Sequence, residues 1–285
     1  MELNGLYTAL ITPFNNGDVD FEKIKELVDL QLEGGVDGIV PMGTTGESPT
    51  LTTEEHLKVI KTVIERVGGR CKIIAGTGAN ATFEAVHQTK EAKAMGADAT
   101  LQVTPYYNKP TQEGLYRHFS KVAETGLPVV LYNVPGRSGT AIAIDTICKL
   151  NNNSNIVAVK EAGGSVDRVS EILNCCNITV LSGDDALTLP MMSVGAKGLI
   201  SVASNLFPKA LTEMVHAALD NNFTKAHELH FKYYSFMKNI FIETNPVPIK
   251  AAMSKSGLIK EEYRLPLCEM LENNRKILFK TMDNI

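Results

Sequence analysis

The chain has 285 residues, of which 44% are hydrophobic and 21% are charged, and its formal net charge is −4. This composition indicates a soluble globular protein with a large core. No cluster of lysine and arginine is long enough to predict binding to nucleic acid or to an anionic membrane. No stretch reaches the roughly 18 apolar residues of a membrane helix, and the N-terminus lacks the pattern of a signal peptide. We therefore expect neither a membrane span nor secretion.

The cysteines are few and odd in number. No CxxC pair occurs among the five, and the neighbours Cys175 and Cys176 would make a poor disulfide. This usage favours a reducing compartment, so we predict a cytoplasmic protein.

Short apolar runs alternate with helical patterns through most of the chain. The near-continuous apolar character of eight runs indicates strands that are buried on both faces, as in parallel sheets. Eight strand-helix units predict a closed (β/α)8 barrel. A doubly wound open sheet is the alternative, but the G-x-G-x-x-G expected after its first strand is absent. The predicted strands are 6–12, 38–42, 72–76, 99–104, 129–133, 156–160, 178–182 and 198–202.

The helices between these strands carry their own signals. Thr52 and Glu55 form a capping box in front of one apolar stripe. After about residue 206 the pattern is purely helical, with segments near 208–220, 223–240, 246–256 and 265–280. We predict a catalytic barrel over residues 1–220 and a helical domain over 221–285 that packs on it.

Chemistry-bearing residues follow the predicted strands, where the active sites of such barrels lie. Lys160 ends the sixth strand, and a buried amine there is a candidate Schiff-base nucleophile because burial disfavours the ammonium form. The alternative is a surface lysine whose stem alone is buried. Tyr107 and Tyr132 can transfer protons near an amine, although most single tyrosines are half-buried aromatics with a solvated hydroxyl.

Two further strand ends suit anions. The turn 43–46 offers backbone N–H groups and two hydroxyls, and without the lysine of a nucleotide-binding loop it fits a carboxylate better than a triphosphate. Arg137 can bind a carboxylate through two hydrogen bonds, although an exposed loop arginine is the default.

Other polar clusters are interpreted as structural. His227 and His230 have no third ligand nearby and are expected on a solvated helix face. Asp184 and Asp185 follow a glycine at a strand end, so helix capping is favoured over metal chemistry. We predict no metal site.

Together, six motifs at successive strand ends resemble the dihydrodipicolinate synthase family of Schiff-base pyruvate aldolases. The resemblance runs from Leu6 to about Leu267 and implies a (β/α)8 barrel with a helical C-terminal domain. It also implies condensation of pyruvate with L-aspartate-4-semialdehyde on the route to diaminopimelate and lysine, with no cofactor. The motifs are GTTGES at 43–48, AGTG at 75–78, VTPYYN at 103–108, LYNVP at 131–135, VKE at 159–161 and LSGDD at 181–185.

The resemblance also implies residue roles. Lys160 would form the imine with pyruvate, Tyr132 would relay protons, and Thr44 would link Tyr132 to Tyr107. The remaining implied contacts are Thr45 with the pyruvate carboxylate, Arg137 with the semialdehyde carboxylate, and Gly183 and Ile200 in the pocket wall.

Two implications concern assembly and regulation. The family pattern implies a homotetramer, a dimer of dimers, in which Tyr107 enters the neighbouring site. It also implies a lysine-feedback site, but Thr53 and Pro49 depart from the sensitive pattern, so we predict weak or absent inhibition. The matching positions are Ser48, His56, Asn80, Glu84 and Tyr106.

Two alternatives stay open. N-acetylneuraminate lyase or a 2-keto-3-deoxy-sugar acid aldolase of the same superfamily would share the lysine and the strand-five tyrosine, but Thr44, Thr45 and Arg137 favour the synthase. A catalytically silent barrel kept as a binding protein is the other alternative, and the presence of the amine and both tyrosines argues against it.

Overall fold

Eight parallel strands form a closed barrel at the centre of the molecule. In the computed structural model, which describes residues 1–285, each barrel strand pairs with the next along the chain and the first pairs with the last. The barrel prediction is confirmed, because an open sheet would leave two unpaired edges. The strands are β1 (Gly5–Ala9), β4 (Gly38–Val40), β5 (Lys72–Gly76), β6 (Ala99–Val103), β7 (Val129–Asn133), β8 (Ile156–Glu161), β9 (Thr179–Ser182) and β10 (Gly198–Ser201).

A two-stranded hairpin follows β1 and was not predicted. It consists of β2 (Phe14–Asn15) and β3 (Asp18–Val19), which pair antiparallel. Strands of two residues are too short for an apolar period, but the turn residues Asn16 and Gly17 both have positive φ, and Asn-Gly is a strong hairpin signal.

Helices cover the outside of the barrel and form the C-terminal part of the chain. The capping box of Thr52 and Glu55 is confirmed, since each side chain binds the other residue's backbone N–H. The helices are α1 (Phe21–Glu33), α2 (Thr53–Val67), α3 (Thr82–Met95), α4 (Gln112–Ala123), α5 (Pro135–Ser138), α6 (Ile144–Leu150), α7 (Val166–Cys175), α8 (Thr188–Ser193), α9 (Pro208–Leu219), α10 (Phe223–Asn239), α11 (Val247–Lys255) and α12 (Glu272–Met282). None of them combines the length and the apolar character that a membrane crossing needs.

The helical predictions for the C-terminal part are confirmed for α9, α10 and α11, but the start of the last helix was wrong. That helix begins at Glu272 rather than near residue 265. Pro266 lacks a backbone N–H and disfavours the helical conformation of Leu265, so a helix starting at residue 265 is unfavourable.

The structure corrects two expectations, one about the cysteines and one about His230. Cys148 and Cys175 form a disulfide between α6 and α7, with their Cα atoms 6.3 Å apart. Sequence reasoning considered only the adjacent pair and missed a partner 27 residues away. The prediction of a solvated face was wrong for His230, whose side chain is buried in the apolar side of α10.

Successive side chains of each barrel strand alternate between an inner and an outer apolar layer, and this alternation sets the direction of the site residues. Val130 packs inside the barrel and Leu131 packs outward against the helices. Ala158 and Val159 of β8 alternate in the same way. Because side chains of a strand point to opposite faces in turn, Lys160 must point inward like Ala158.

Candidate active site

Lys160 is a buried amine inside the mouth of the barrel. Its side chain is 6% exposed, which rules out the surface-lysine alternative. The Lys160 Nζ lies 4.2 Å from the centre of the Tyr132 ring, and no carboxylate forms a salt bridge with it. An amine without a carboxylate partner is free to react as a nucleophile once it loses its proton.

Tyr132 stands beside Lys160 because their strands pair in register. Tyr132 on β7 and Lys160 on β8 are directly paired Cα partners. Both side chains point inward, and Tyr132 belongs to the apolar cluster inside the barrel. The strand geometry therefore brings these two sequence-predicted residues side by side.

Gly183 makes room for the lysine. A Cβ atom at this position would lie 2.9 Å from Lys160 Cε and 2.7 Å from the Ala162 Cβ, distances that real Cβ atoms essentially never show. Only glycine allows the stem of Lys160 to pass so close to the backbone. Ile200, the other predicted wall position, is completely buried in the same interior cluster.

A cavity of about 200 Å³ opens at the carboxyl ends of the strands. Thr44, Tyr132 and Arg137 line it, so three sequence-predicted residues from the ends of two strands, β4 and β7, meet at one space. Lys160 is not part of this wall but adjoins it through Tyr132. The other lining residues are Met42, Gly43, Ser48, Pro49, Gly76, Gly78, Leu101, Val103, Tyr106, Val134 and Ser138.

The turn after β4 is fixed by hydrogen bonds from distant segments. Residues Thr44–Gly46 form one turn of 3₁₀ helix. The Thr12 hydroxyl donates to the Gly46 carbonyl at 2.7 Å. The buried Thr45 hydroxyl accepts from the Asn245 side chain at 2.9 Å. Sequence reasoning missed Asn245, because an asparagine before a proline is the ordinary signature of a turn.

Arg137 projects from α5 at the rim of the cavity. One guanidinium nitrogen donates to the Asn245 carbonyl at 3.2 Å.

The loop that carries Arg137 is anchored at its base by Asn133. The Asn133 side chain donates to the completely buried Glu161 carboxylate and accepts from Ile142 N. Arg168 donates to the same carboxylate at 2.9 Å. Glu161 and Arg168 therefore hold this loop, a role that sequence reasoning did not assign.

Tyr107 does not join Thr44 and Tyr132 within this chain. Its side chain is 91% exposed, and its φ of 74° places it in the left-handed region that a bulky residue rarely adopts. The neighbouring Tyr106 lines the cavity instead. The predicted link from Thr44 to Tyr107 is thus absent inside one protomer.

Comparison with known proteins gives the family. The model of the dihydrodipicolinate synthetase family matches residues 2–285. The chain belongs to this family. It is 52% identical over 285 residues to a Methanococcus vannielii protein named 4-hydroxy-tetrahydrodipicolinate synthase, covering 99% of each chain. A Methanocaldococcus jannaschii protein of the same name is 52% identical over 99% of this chain and 98% of its own. The crystal structure of dihydrodipicolinate synthase from Aquifex aeolicus is 49% identical, with a TM-score of 0.97 over 99% of this chain and 97% of the other.

The residues predicted for lysine feedback in this dihydrodipicolinate synthetase family member do not all face one space. Ser48 and Tyr106 line the cavity described above. The Asn80 side chain donates to the Tyr106 carbonyl at 3.4 Å. Burial and the nearby Glu84 carboxylate raise the pKa of the Tyr106 hydroxyl. His56 is buried, and its Nε2 bonds the Gly76 carbonyl at 2.7 Å. Burial lowers the pKa of His56, which favours the neutral ring.

The two aspartates after β9 have structural partners. Asp184 Oδ1 accepts from Ala186 N and Leu187 N, so the capping prediction is confirmed for Asp184. Asp185 is instead completely buried and binds the Ser201 hydroxyl, with further bonds from the backbone of 202 and 203. No group of three or more His, Cys, Asp or Glu side chains is arranged to hold a metal ion.

Proposed function

We propose that this chain condenses pyruvate with L-aspartate-4-semialdehyde through a Schiff base on Lys160, giving 4-hydroxy-tetrahydrodipicolinate on the route to diaminopimelate and lysine. The observation that carries the proposal is the buried Lys160 amine against the Tyr132 ring, free of any carboxylate, at the mouth of the barrel. Full-length relatives at about half identity bear the name of this synthase, a lyase.

The chemistry follows from an amine in this setting. Neutral Lys160 Nζ adds to the ketone carbon of pyruvate, and loss of water gives the imine. The imine acts as an electron sink, so the methyl group loses a proton and the resulting enamine attacks the aldehyde carbon, whose oxygen takes up a proton. The amino group of the semialdehyde then adds to the regenerated imine carbon, which closes the ring and expels Lys160 as the free amine. Tyr132 relays protons to and from the reacting carbons, a contribution of roughly 10²–10⁴ in rate. No metal or organic cofactor takes part.

The surrounding residues supply binding and orientation. Thr45 and its turn hold the pyruvate carboxylate, and Arg137 receives the carboxylate of the semialdehyde through charge-assisted hydrogen bonds. Gly183 leaves room for the lysine and its imine, and Ile200 closes the interior side of the pocket. In this proposal, residues 1–220 form the catalytic barrel and residues 221–285 form a helical domain that packs on it.

The assembly proposed for this enzyme is a homotetramer, a dimer of dimers, in the cytoplasm. Tyr107 and Phe83 support it, since they are 91% and 81% exposed on the surface of one protomer. Aromatic side chains are enriched at protein interfaces. In the dimer, Thr44 would connect Tyr132 to a Tyr107 hydroxyl from the neighbouring copy.

Lysine inhibition is proposed to be weak or absent. Thr53 and Pro49 lack the ligand groups of the sensitive pattern, and the ring nitrogen of His56 is bonded to Gly76. Initial rates with added L-lysine test this, and inhibition at micromolar lysine would contradict it.

The deciding experiment measures pyruvate consumption by the purified protein with three acceptors: L-aspartate-4-semialdehyde, N-acetylmannosamine and glyceraldehyde. We expect a strong preference for the semialdehyde. Arg137→Ala should raise the KM for the semialdehyde and leave the KM for pyruvate unchanged. Turnover with the sugar aldehydes alone would keep the Schiff base but assign the chain to the sugar-acid aldolases.

A further inference from the structure

One ion pair in the molecule has both side chains completely buried. It joins Lys250 Nζ of α11 to Glu47 Oε1 in the turn after β4, across 203 residues of sequence. Removing two charges from water costs as much as their attraction returns, so a buried pair is weak grounds for stability. A specific geometric role accounts better for such a pair.

Glu47 holds the exit of the turn that carries Thr44 and Thr45. Its backbone adopts φ 55°, a left-handed conformation that is unfavourable for a residue with a long side chain. The Glu47 backbone N–H donates to the Thr44 carbonyl at 3.1 Å. Its second carboxylate oxygen accepts from Arg264 N at 3.4 Å. The side-chain contacts of Glu47 thus hold the turn in a conformation that its own sequence disfavours.

Lys250 is enclosed by aromatic rings as well as by the carboxylate. Its Nζ lies 4.3 Å from the centre of the Phe14 ring and 5.2 Å from that of Tyr263. Phe14 belongs to the short hairpin after β1, and Tyr263 follows α11 in the chain. Glu47 is the one carboxylate that forms a salt bridge with this amine.

The segment just before α11 reaches the same site. Asn245 donates to the Thr45 hydroxyl through its side chain, and its carbonyl accepts from Arg137. Residues 245–250 consequently contact the turn at Thr45 and Glu47 and also contact Arg137. One short C-terminal segment touches the residues assigned to both substrate carboxylates.

We propose that the Lys250–Glu47 ion pair is a positioning device for the pyruvate-binding turn, so that the helical C-terminal part completes a site whose chemistry lies in the barrel. Neither residue touches substrate. The inference rests on the proposed function, since it takes pyruvate as the molecule that the turn holds. Breaking the pair displaces the Thr44–Gly46 turn and weakens pyruvate binding, while the Lys160 amine keeps its place on β8.

The test titrates pyruvate against borohydride trapping, with the mass of the protein as the readout. Lys250→Met and Glu47→Gln are each expected to raise the pyruvate concentration for half-maximal trapping by about tenfold or more, because small displacements of a binding group are costly. The saturating yield of adduct should stay near that of the parent chain. The double variant is expected to recover part of the loss, since it leaves no unpaired buried charge.

The matched control is Lys255→Met, which removes a partly exposed lysine of the same helix that pairs with Asp283. It should leave the half-maximal pyruvate concentration unchanged. Circular dichroism and thermal melting identify variants that fail to fold, and if Lys250→Met is one of them, the isosteric Glu47→Gln decides by the same titration.

An unchanged pyruvate titration in a folded Lys250→Met or Glu47→Gln variant would overturn the positioning role. A parent chain that pyruvate and borohydride do not modify would instead refute the proposed function, so the two failures are distinguishable. A loss of melting temperature with no change in the titration would assign the pair to stability alone.

Discussion

Tyr132 and Lys160 are paired residues of adjacent parallel strands, and the lysine nitrogen lies 4.2 Å from the centre of the tyrosine ring. Because both residues are on barrel strands, their spacing is fixed by backbone hydrogen bonds rather than by a mobile loop. A nucleophile and a proton donor on rigid elements keep their geometry through a catalytic cycle.

Replacement of Tyr132 by Phe should separate imine formation from turnover. We expect kcat to fall by about 10²–10⁴, the contribution of a placed proton donor, while pyruvate is still trapped by borohydride. Steady-state rates and mass spectrometry of the trapped protein measure the two effects. Tyr116→Phe, on the outer surface of α4, is the matched control. Normal turnover in Tyr132→Phe would remove Tyr132 from the proton relay.

Replacement of Lys160 by Met should abolish both trapping and turnover, since no other amine stands at this place. A loss of about 10³-fold or more is expected for removal of a covalent nucleophile. Lys197→Met removes an exposed lysine and serves as the control. Peptide mapping that found the pyruvate adduct on a different lysine would contradict the assignment.

A methyl group at residue 183 should disturb the lysine without unfolding the protein. Gly183→Ala would place Cβ 2.9 Å from Lys160 Cε, so the amine must shift. We expect at least a tenfold drop in kcat/KM, because a displaced reacting group is costly. Gly136→Ala is the control, since a Cβ there meets nothing within 4 Å. Equal activity of the two variants would show that the lysine can move without consequence.

Mixed assemblies should reveal whose active site Tyr107 serves. Lys160→Met and Tyr107→Ala proteins are each expected to be nearly inactive alone. If Tyr107 enters the neighbouring site, a mixed dimer contains one site with both an intact lysine and an intact tyrosine. Refolding the two proteins together should then restore activity. If confirmed mixed dimers recover no activity, Tyr107 does not act in the neighbouring active site. Sedimentation velocity measures whether the protein forms a tetramer.

Stability should fall with acidity as His118 takes up a proton on unfolding. Burial lowers the pKa of His118 from 6.5 to about 4, so between these values the unfolded chain binds more protons than the folded one. The free energy of unfolding therefore decreases as pH falls from 6.5 to 4, by roughly 3 kcal/mol from this group. Urea titrations of His118→Gln should show a shallower decline. At pH 8 both forms are neutral, so the difference there reports only lost packing and the bond to Thr82.

Much of the barrel could be predicted from the local pattern of apolar and polar residues. The strands predicted at 72–76 and 129–133 coincide with β5 and β7, because continuous apolar runs between helical stripes leave few other structures. The lysine at the end of the sixth strand could be located for the same reason. The hairpin after β1 and the start of α12 were missed, since two-residue strands and a proline-containing segment carry little periodicity.

The sequence by itself determined the barrel, the approximate positions of its strands and the set of reactive side chains, because these depend on signals within a few residues of one another. The first two barrel strands end earlier than predicted, at Ala9 and Val40 rather than at residues 12 and 42. Only the tertiary structure decided that Asn245 binds Thr45 across 200 residues and that Cys148 pairs with Cys175. It also decided that the Tyr107 side chain, which the resemblance assigned to the neighbouring site, is exposed on the surface of its own protomer. Contacts of this kind join segments far apart in the chain, and no local period records which distant surface a side chain will meet.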